Sequence, residues 1–226
     1  MTITESLNFI HNQIPVNVKL VAVSKTRSNA EILEAYKAGQ RRFGENKVQE
    51  IAKKWLELPK DIEWHFIGHL QSNKVKQLIP FVSLIHGVES LRLLSAINKE
   101  SEKCNRIVSV LLEFHIAREE SKFGLTLEDA EEILSSPELR SMKNIIIAGV
   151  MGMATFTDDE DLIQNEFRKL RSIFELLRNK YFSDSGQFCE ISMGMSDDYT
   201  IAVTEGSTIV RIGSKIFGTR ANCQNP

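Results

Sequence analysis

Residues 18–25 read VKLVAVSK, an apolar run of strand length that stops on Ser24 and Lys25. Continuous hydrophobicity marks a strand buried on both faces, as in a parallel sheet covered by helices. Runs of the same kind follow at 41–45 (RRFGE), 63–68 (EWHFIG), 83–88 (SLIHGV), 106–115 (RIVSVLLEFH), 144–153 (NIIIAGVMGM), 188–194 (FCEISMG) and 209–213 (IVRIG). Between them lie segments of helical period. Val48, Ile51, Ala52, Trp55 and Leu56 share one face, as do Leu162, Phe167, Leu170, Phe174 and Leu177, and more weakly Leu91, Leu94 and Ile97. A doubly wound open sheet would alternate in a similar way, but eight β/α units favour a closed (β/α)8 TIM barrel. No Pro- or Gly-rich linker or change of composition divides residues 1–226, so a single domain is expected, with its core at about 16–220.

The 226 residues are 42% hydrophobic and 26% charged, with a formal net charge of −2, which suits one soluble globular domain. Cys104, Cys189 and Cys223 are odd in number and form no CxxC pair. They suggest neither a disulfide framework nor a zinc knuckle, and a reducing cytoplasm is the expected location. The N-terminus has no basic region followed by an apolar core, and no apolar run approaches the roughly 18 residues that span a bilayer, so neither secretion nor a membrane is expected. Acids and bases are mixed throughout, which offers no field to attract nucleic acid.

In such a barrel, chemistry sits at the C-terminal ends of the strands. The first end delivers Lys25. A lysine in a partly desolvated pocket has a lowered pKa, and its neutral amine attacks aldehydes and ketones to form a Schiff base. The plainer reading is a lysine that snorkels to the mouth and pairs with a carboxylate such as Glu45. The loops after the last two strands bear on that choice. SMGMSDD (192–198) offers Ser192, Gly194 and Ser196, the last as N-cap of a helix with Asp197 and Asp198 in its first turn, while Gly213 and Ser214 open another short helix. Loops after strands 7 and 8 that lead into short helices are the recurrent phosphate site of barrels.

Arg211 shares a strand face with Ile209 and Gly213, so it points inward and needs either a buried carboxylate or a ligand atom with a lone pair, such as a ring nitrogen. Asn46 stands at the mouth ahead of the helix carrying Val48, a place that also suits an N-cap. His69, His86 and His115 fall near strand ends, but the helical i,i+4 presentation of paired zinc ligands is absent, so no metal site is expected. His65 reads as a satisfied core residue and the other three as polar rim.

Taken together, VAVSKT, FGENKVQE, WHFIGHLQSNK, EESKFG, GVMGMATFTDD and ISMGMSDDYTIAVTEGSTIVRIGSKIFGTR resemble the YggS/PROSC family of pyridoxal 5′-phosphate homeostasis proteins. The resemblance runs from about residue 16 to 220. It implies a barrel similar to the N-terminal domain of alanine racemase, with pyridoxal 5′-phosphate held as a Schiff base on Lys25 and its phosphate held by Ser192, Gly213 and Ser214. It also implies that Arg211 faces the pyridine nitrogen and that Asn46 lies beside the cofactor. The implied role is that of a carrier or regulator of the cofactor pool, affecting amino-acid metabolism, with apo-enzymes dependent on pyridoxal phosphate as partners. No clear turnover and a monomeric state are expected. His69, His115 and Phe123 depart from residues common in the family, and His69 and His115 carry no role by analogy.

Two enzymatic readings compete. An amino-acid racemase needs a second acid/base on the opposite face of the cofactor, and Tyr36, Tyr181 and Tyr199 are not obvious candidates. A Schiff-base aldolase acting on a phosphorylated sugar would use Lys25 and the same phosphate loops.

Overall fold

A computed structural model of the protein describes residues 1–118 and 124–218. The EESKF segment, and with it the Phe123 departure, lies outside the described residues, as does the tail from Thr219 that contains Cys223. The eight expected strands are all present: β1 (Lys19–Val23), β2 (Arg42–Glu45), β3 (Glu63–Phe66), β4 (Val82–Val88), β5 (Val108–Phe114), β6 (Ile145–Gly152), β7 (Glu190–Ser192) and β8 (Ile209–Ile212). All pairs are parallel, in the order β1 to β8, and the barrel closes where Lys19 to Ala22 of β1 pair with Ile209 to Ile212 of β8.

Helices cover the outside: α1 (Ile3–Gln13), α2 (Asn29–Lys37), α3 (Val48–Glu57), α4 (Val75–Leu78), α5 (Leu91–Lys103), α6 (Leu127–Ser135), α7 (Pro137–Ser141), α8 (Glu160–Tyr181), α9 (Tyr199–Thr204) and α10 (Ser214–Phe217). None is long and apolar enough to cross a membrane. Each strand sends alternate residues to the two sides. Leu20, Ala22, Phe43, Trp64, Phe66 and Ile85 join the layer between sheet and helices. Val21, Leu84, Leu111, Ala148, Met151 and Ile209 form a separate apolar cluster inside the barrel. That parity decides which polar side chains of the strands reach the interior.

Three local features shape the mouth. β1 ends at Val23, so Lys25 belongs to the following loop, which turns through Thr26 at φ +67° before Ser28 caps α2 in a capping box with Glu31. In the loop after β7, Gly194 has φ +94°, and a Cβ there would come within 2.6 Å of the Ala202 Cβ, so only glycine lets this loop close against α9. The helix then starts later than the sequence suggests. Asp198, not Ser196, occupies the N-cap position, because its Oδ1 accepts the Met195 N–H at 2.5 Å and closes a turn first. Asn46 is likewise not a cap: Lys47 stands at the N-cap of α3 and makes no side-chain cap bond.

Candidate functional site

A cavity of about 770 Å³ opens at the C-terminal ends of the strands. Lys25, Asn46, Arg211, Gly213 and Ser214 all line it. The sixth expected residue, Ser192, does not: it is fully buried at the end of β7, while Ser196, four residues on, reaches the wall. Ser192 faces inward, in register beside Met151 of the interior cluster, which puts its hydroxyl below the cavity floor.

Arg211 is only 4% exposed. Its Nη1 donates to the Ser192 carbonyl at 2.9 Å and to Ser192 Oγ at 2.6 Å, and Nη2 donates to the Gly152 carbonyl at 3.3 Å. A buried carboxylate was one acceptor foreseen for it, but these direct acceptors are carbonyls and a hydroxyl of β6 and β7. Burial pushes the guanidinium down to about 10, against the pull of Asp198 and Glu113, so it stays charged at neutral pH.

Ser192 Oγ also lies 2.9 Å from His86 Nδ1, and His86 Nε2 lies 2.9 Å from His65 Nδ1. His86 therefore belongs to the barrel interior, with no exposed surface, and not to the rim. Its place on β4, two residues after the inward-facing Leu84, explains the difference. Burial lowers His65 to about 3, reinforced by the positive charges of Arg42 and Lys19. Burial, then His65 and Arg211, drives His86 well below the ordinary histidine range. Both rings are neutral at pH 7. Because a guanidinium can only donate, an order running from Arg211 to Ser192 Oγ, from its O–H to His86 Nδ1, and from His86 Nε2–H to His65 Nδ1 uses every proton along the chain.

The other two histidines near strand ends stand apart: His69 pairs with Glu89 at 3.1 Å, and His115 Nε2 lies 2.8 Å from the Ala117 carbonyl. Glu113 was not anticipated. It points inward two residues after Leu111, and burial, with Glu89 adding and Arg211 opposing, raises it to about 7.

Glu45, the carboxylate suggested as a partner for Lys25, faces the helices with Phe43. Its Oε1 accepts Lys54 Nζ at 2.8 Å and Ser24 Oγ at 2.6 Å. Around the last two loops, Ser196 Oγ accepts the Gly213 N–H at 3.2 Å. The amides of Ser214 and Lys215 precede the first intrahelical bonds of α10, which run from Ile216 N and Phe217 N to the Gly213 carbonyl. A Cβ on Gly213 would lie 3.2 Å from the Val23 carbonyl, so this residue lets β8 leave close beside the end of β1.

Known proteins share this chain's sequence pattern and fold. The family model of the alanine racemase N-terminal domain matches residues 2–221. A pyridoxal phosphate homeostasis protein of Aquifex aeolicus is 38% identical over 203 residues, covering 89% of this chain and 87% of that protein. The solved structure of PipY from Synechococcus elongatus with pyridoxal phosphate bound is similar at a TM-score of 0.87 and 34% identity, over 96% of this chain and 100% of the other. The alanine racemase of Clostridium difficile shares the fold, with a TM-score of 0.72 at 15% identity over 98% of this chain and 60% of that one. The chain belongs to the family of pyridoxal phosphate homeostasis proteins, built on the alanine racemase N-terminal domain.

Proposed function

We propose that this protein binds pyridoxal 5′-phosphate in the barrel-mouth cavity and serves the intracellular homeostasis of that cofactor, holding it as a Schiff base on Lys25 without turnover. The observation that carries the reading is the meeting of Lys25, Arg211 and the loops after β7 and β8 around one cavity. The residues fit the group. An amine meets an aldehyde, a buried guanidinium meets a ring nitrogen with a lone pair, and the Ser196 and Ser214 hydroxyls with the first amides of α10 meet a phosphate. The pyridoxal phosphate in the PipY structure supports the same assignment.

When bound, the cofactor supplies an electron sink whose strength depends on protonation of its ring nitrogen. Arg211 keeps its own proton and donates a hydrogen bond, which leaves that nitrogen unprotonated and the sink weak. Ser192 touches no ligand in this reading and acts through Arg211, as a positioning residue. Asn46 stands at the cavity wall beside the cofactor. Racemisation would need a second acid/base, and the three tyrosines are engaged elsewhere: Tyr36 with Asp61, Tyr181 with Ser135, and Tyr199 with Gln13. We place the protein in the cytoplasm as a monomer, with apo-enzymes as recipients of the cofactor. The free, exposed Cys104 and Cys189 agree with a reducing compartment.

Titrating apo-protein with pyridoxal phosphate should give a yellow complex that saturates at one equivalent per chain. In deuterated water with L-alanine, that complex should exchange the α-hydrogen no faster than the free cofactor. A colourless protein would favour the aldolase reading, and rapid exchange the racemase.

A further inference from the structure

The loop that carries Lys25 is held from behind in an unfavourable backbone conformation. Thr26 has φ +67°, in the left-handed region that a β-branched side chain resists. Its N–H donates to Glu50 Oε1 at 2.6 Å. The same oxygen accepts Lys54 Nζ at 2.7 Å, and Lys54 Nζ also donates to the Ser24 carbonyl at 2.9 Å and to Glu45 Oε1 at 2.8 Å. The three protons of this buried ammonium therefore have three acceptors, and Ser24 Oγ completes the cluster on Glu45. Glu50 and Lys54 stand one turn apart on α3, yet each reaches a peptide group next to Lys25, one on each side. Anchoring α3 to β2 would need only the Lys54–Glu45 pair. The bonds to the Ser24 carbonyl and the Thr26 amide act on the loop itself.

We propose that Glu50 and Lys54 are positioning residues for Lys25, fixing the Ser24–Thr26 turn so that the lysine is presented to the cavity. This rests on the cofactor reading above. The test follows the rate at which the yellow complex forms, with Thr26→Gly as the discriminating second substitution, because glycine takes a positive φ without a clamp.

Glu50→Ala removes the Thr26 acceptor at a partly exposed position and should slow complex formation by about tenfold or more. Glu50→Gln, which keeps an acceptor oxygen, should slow it less, and Glu50→Ala/Thr26→Gly should return to within about threefold of the wild type. Lys54→Met, checked for folding by circular dichroism, should also slow complex formation, because the Ser24 carbonyl loses its donor. A Glu50→Ala protein that captures the cofactor at the wild-type rate, or a loss that Thr26→Gly does not relieve, overturns the positioning role. A wild-type protein that forms no coloured complex overturns the cofactor reading on which the role depends.

Discussion

Arg211→Met is expected to weaken the binding of pyridoxal phosphate by about 10- to 100-fold while leaving the barrel folded. A hydrogen bond from a charged donor contributes about 1.5–3 kcal/mol, and each 1.4 kcal/mol or so is a factor of ten in affinity. The cost to the fold should be far smaller than a buried charge suggests, because desolvating a guanidinium already opposes much of what its contacts return. Methionine fills comparable space, and Ser192 Oγ keeps His86 as a partner. The carbonyls of Ser192 and Gly152 lose their donor, which costs about 1–3 kcal/mol. Arg211→Lys keeps the charge but not the planar fork, so it should recover only part of the affinity. Absorbance titration against urea unfolding separates the two effects. Equal affinity in Arg211→Met and the wild type would remove Arg211 from the site.

Stability should fall as the pH drops from 7 toward 4, with the buried histidines responsible. His65 titrates at about 6.5 when unfolded and at about 3 when folded, and His86 is lowered in the same sense. A histidine depressed in this way contributes stability that is present above its unfolded value and is lost as the pH falls below it, because the unfolded chain then binds a proton that the native state refuses. Glu113 works in the opposite sense. Its folded value of about 7 lies above the unfolded 4.5, so its contribution is present below 4.5 and is lost as the pH rises toward 7.

Between pH 5 and 6.5, two histidines thus oppose one glutamate, and each group is worth roughly 1 kcal/mol per pH unit. His86→Asn should flatten the dependence and Glu113→Gln should steepen it, each by about that amount. Urea midpoints for the three proteins at pH 7, 6 and 5 measure this, and three superimposable profiles would contradict it.

The barrel was legible because its strands are buried on both faces. VKLVAVSK and IVRIG read as strands without alternation, and β1 and β8 lie side by side to close the sheet. The N-terminal helix is less legible because its apolar face is narrow: Leu7 and Ile10 carry the burial, and the Thr2–Glu5 capping box is its clearest sequence signal. That Lys25, Asn46, Arg211, Gly213 and Ser214 line the cavity was legible because a position near a strand end is a sequence property in this fold.

Ser192 was placed at the rim because it ends its apolar run, whereas its parity turns the hydroxyl down to Arg211 and His86. The His65–His86 contact joins residues 21 apart on neighbouring strands, a pairing that no local period encodes. Glu50 and Lys54 are polar residues between the apolar positions of α3, and the helical period gives them no further meaning. Only the return of the β1 loop over that helix brings them to the backbone on either side of Lys25.

In the proposed function the amine of Lys25 holds the cofactor. Borohydride reduction of the yellow complex, followed by proteolysis and mass spectrometry, tests it directly, because the reduced link survives digestion. A single pyridoxyl adduct on the peptide containing Lys25, absent from Lys25→Ala, is the predicted result. An adduct on another lysine, such as Lys47 or Lys215, which follow the cavity-lining Asn46 and Ser214 in sequence, with Lys25 unmodified, would contradict it.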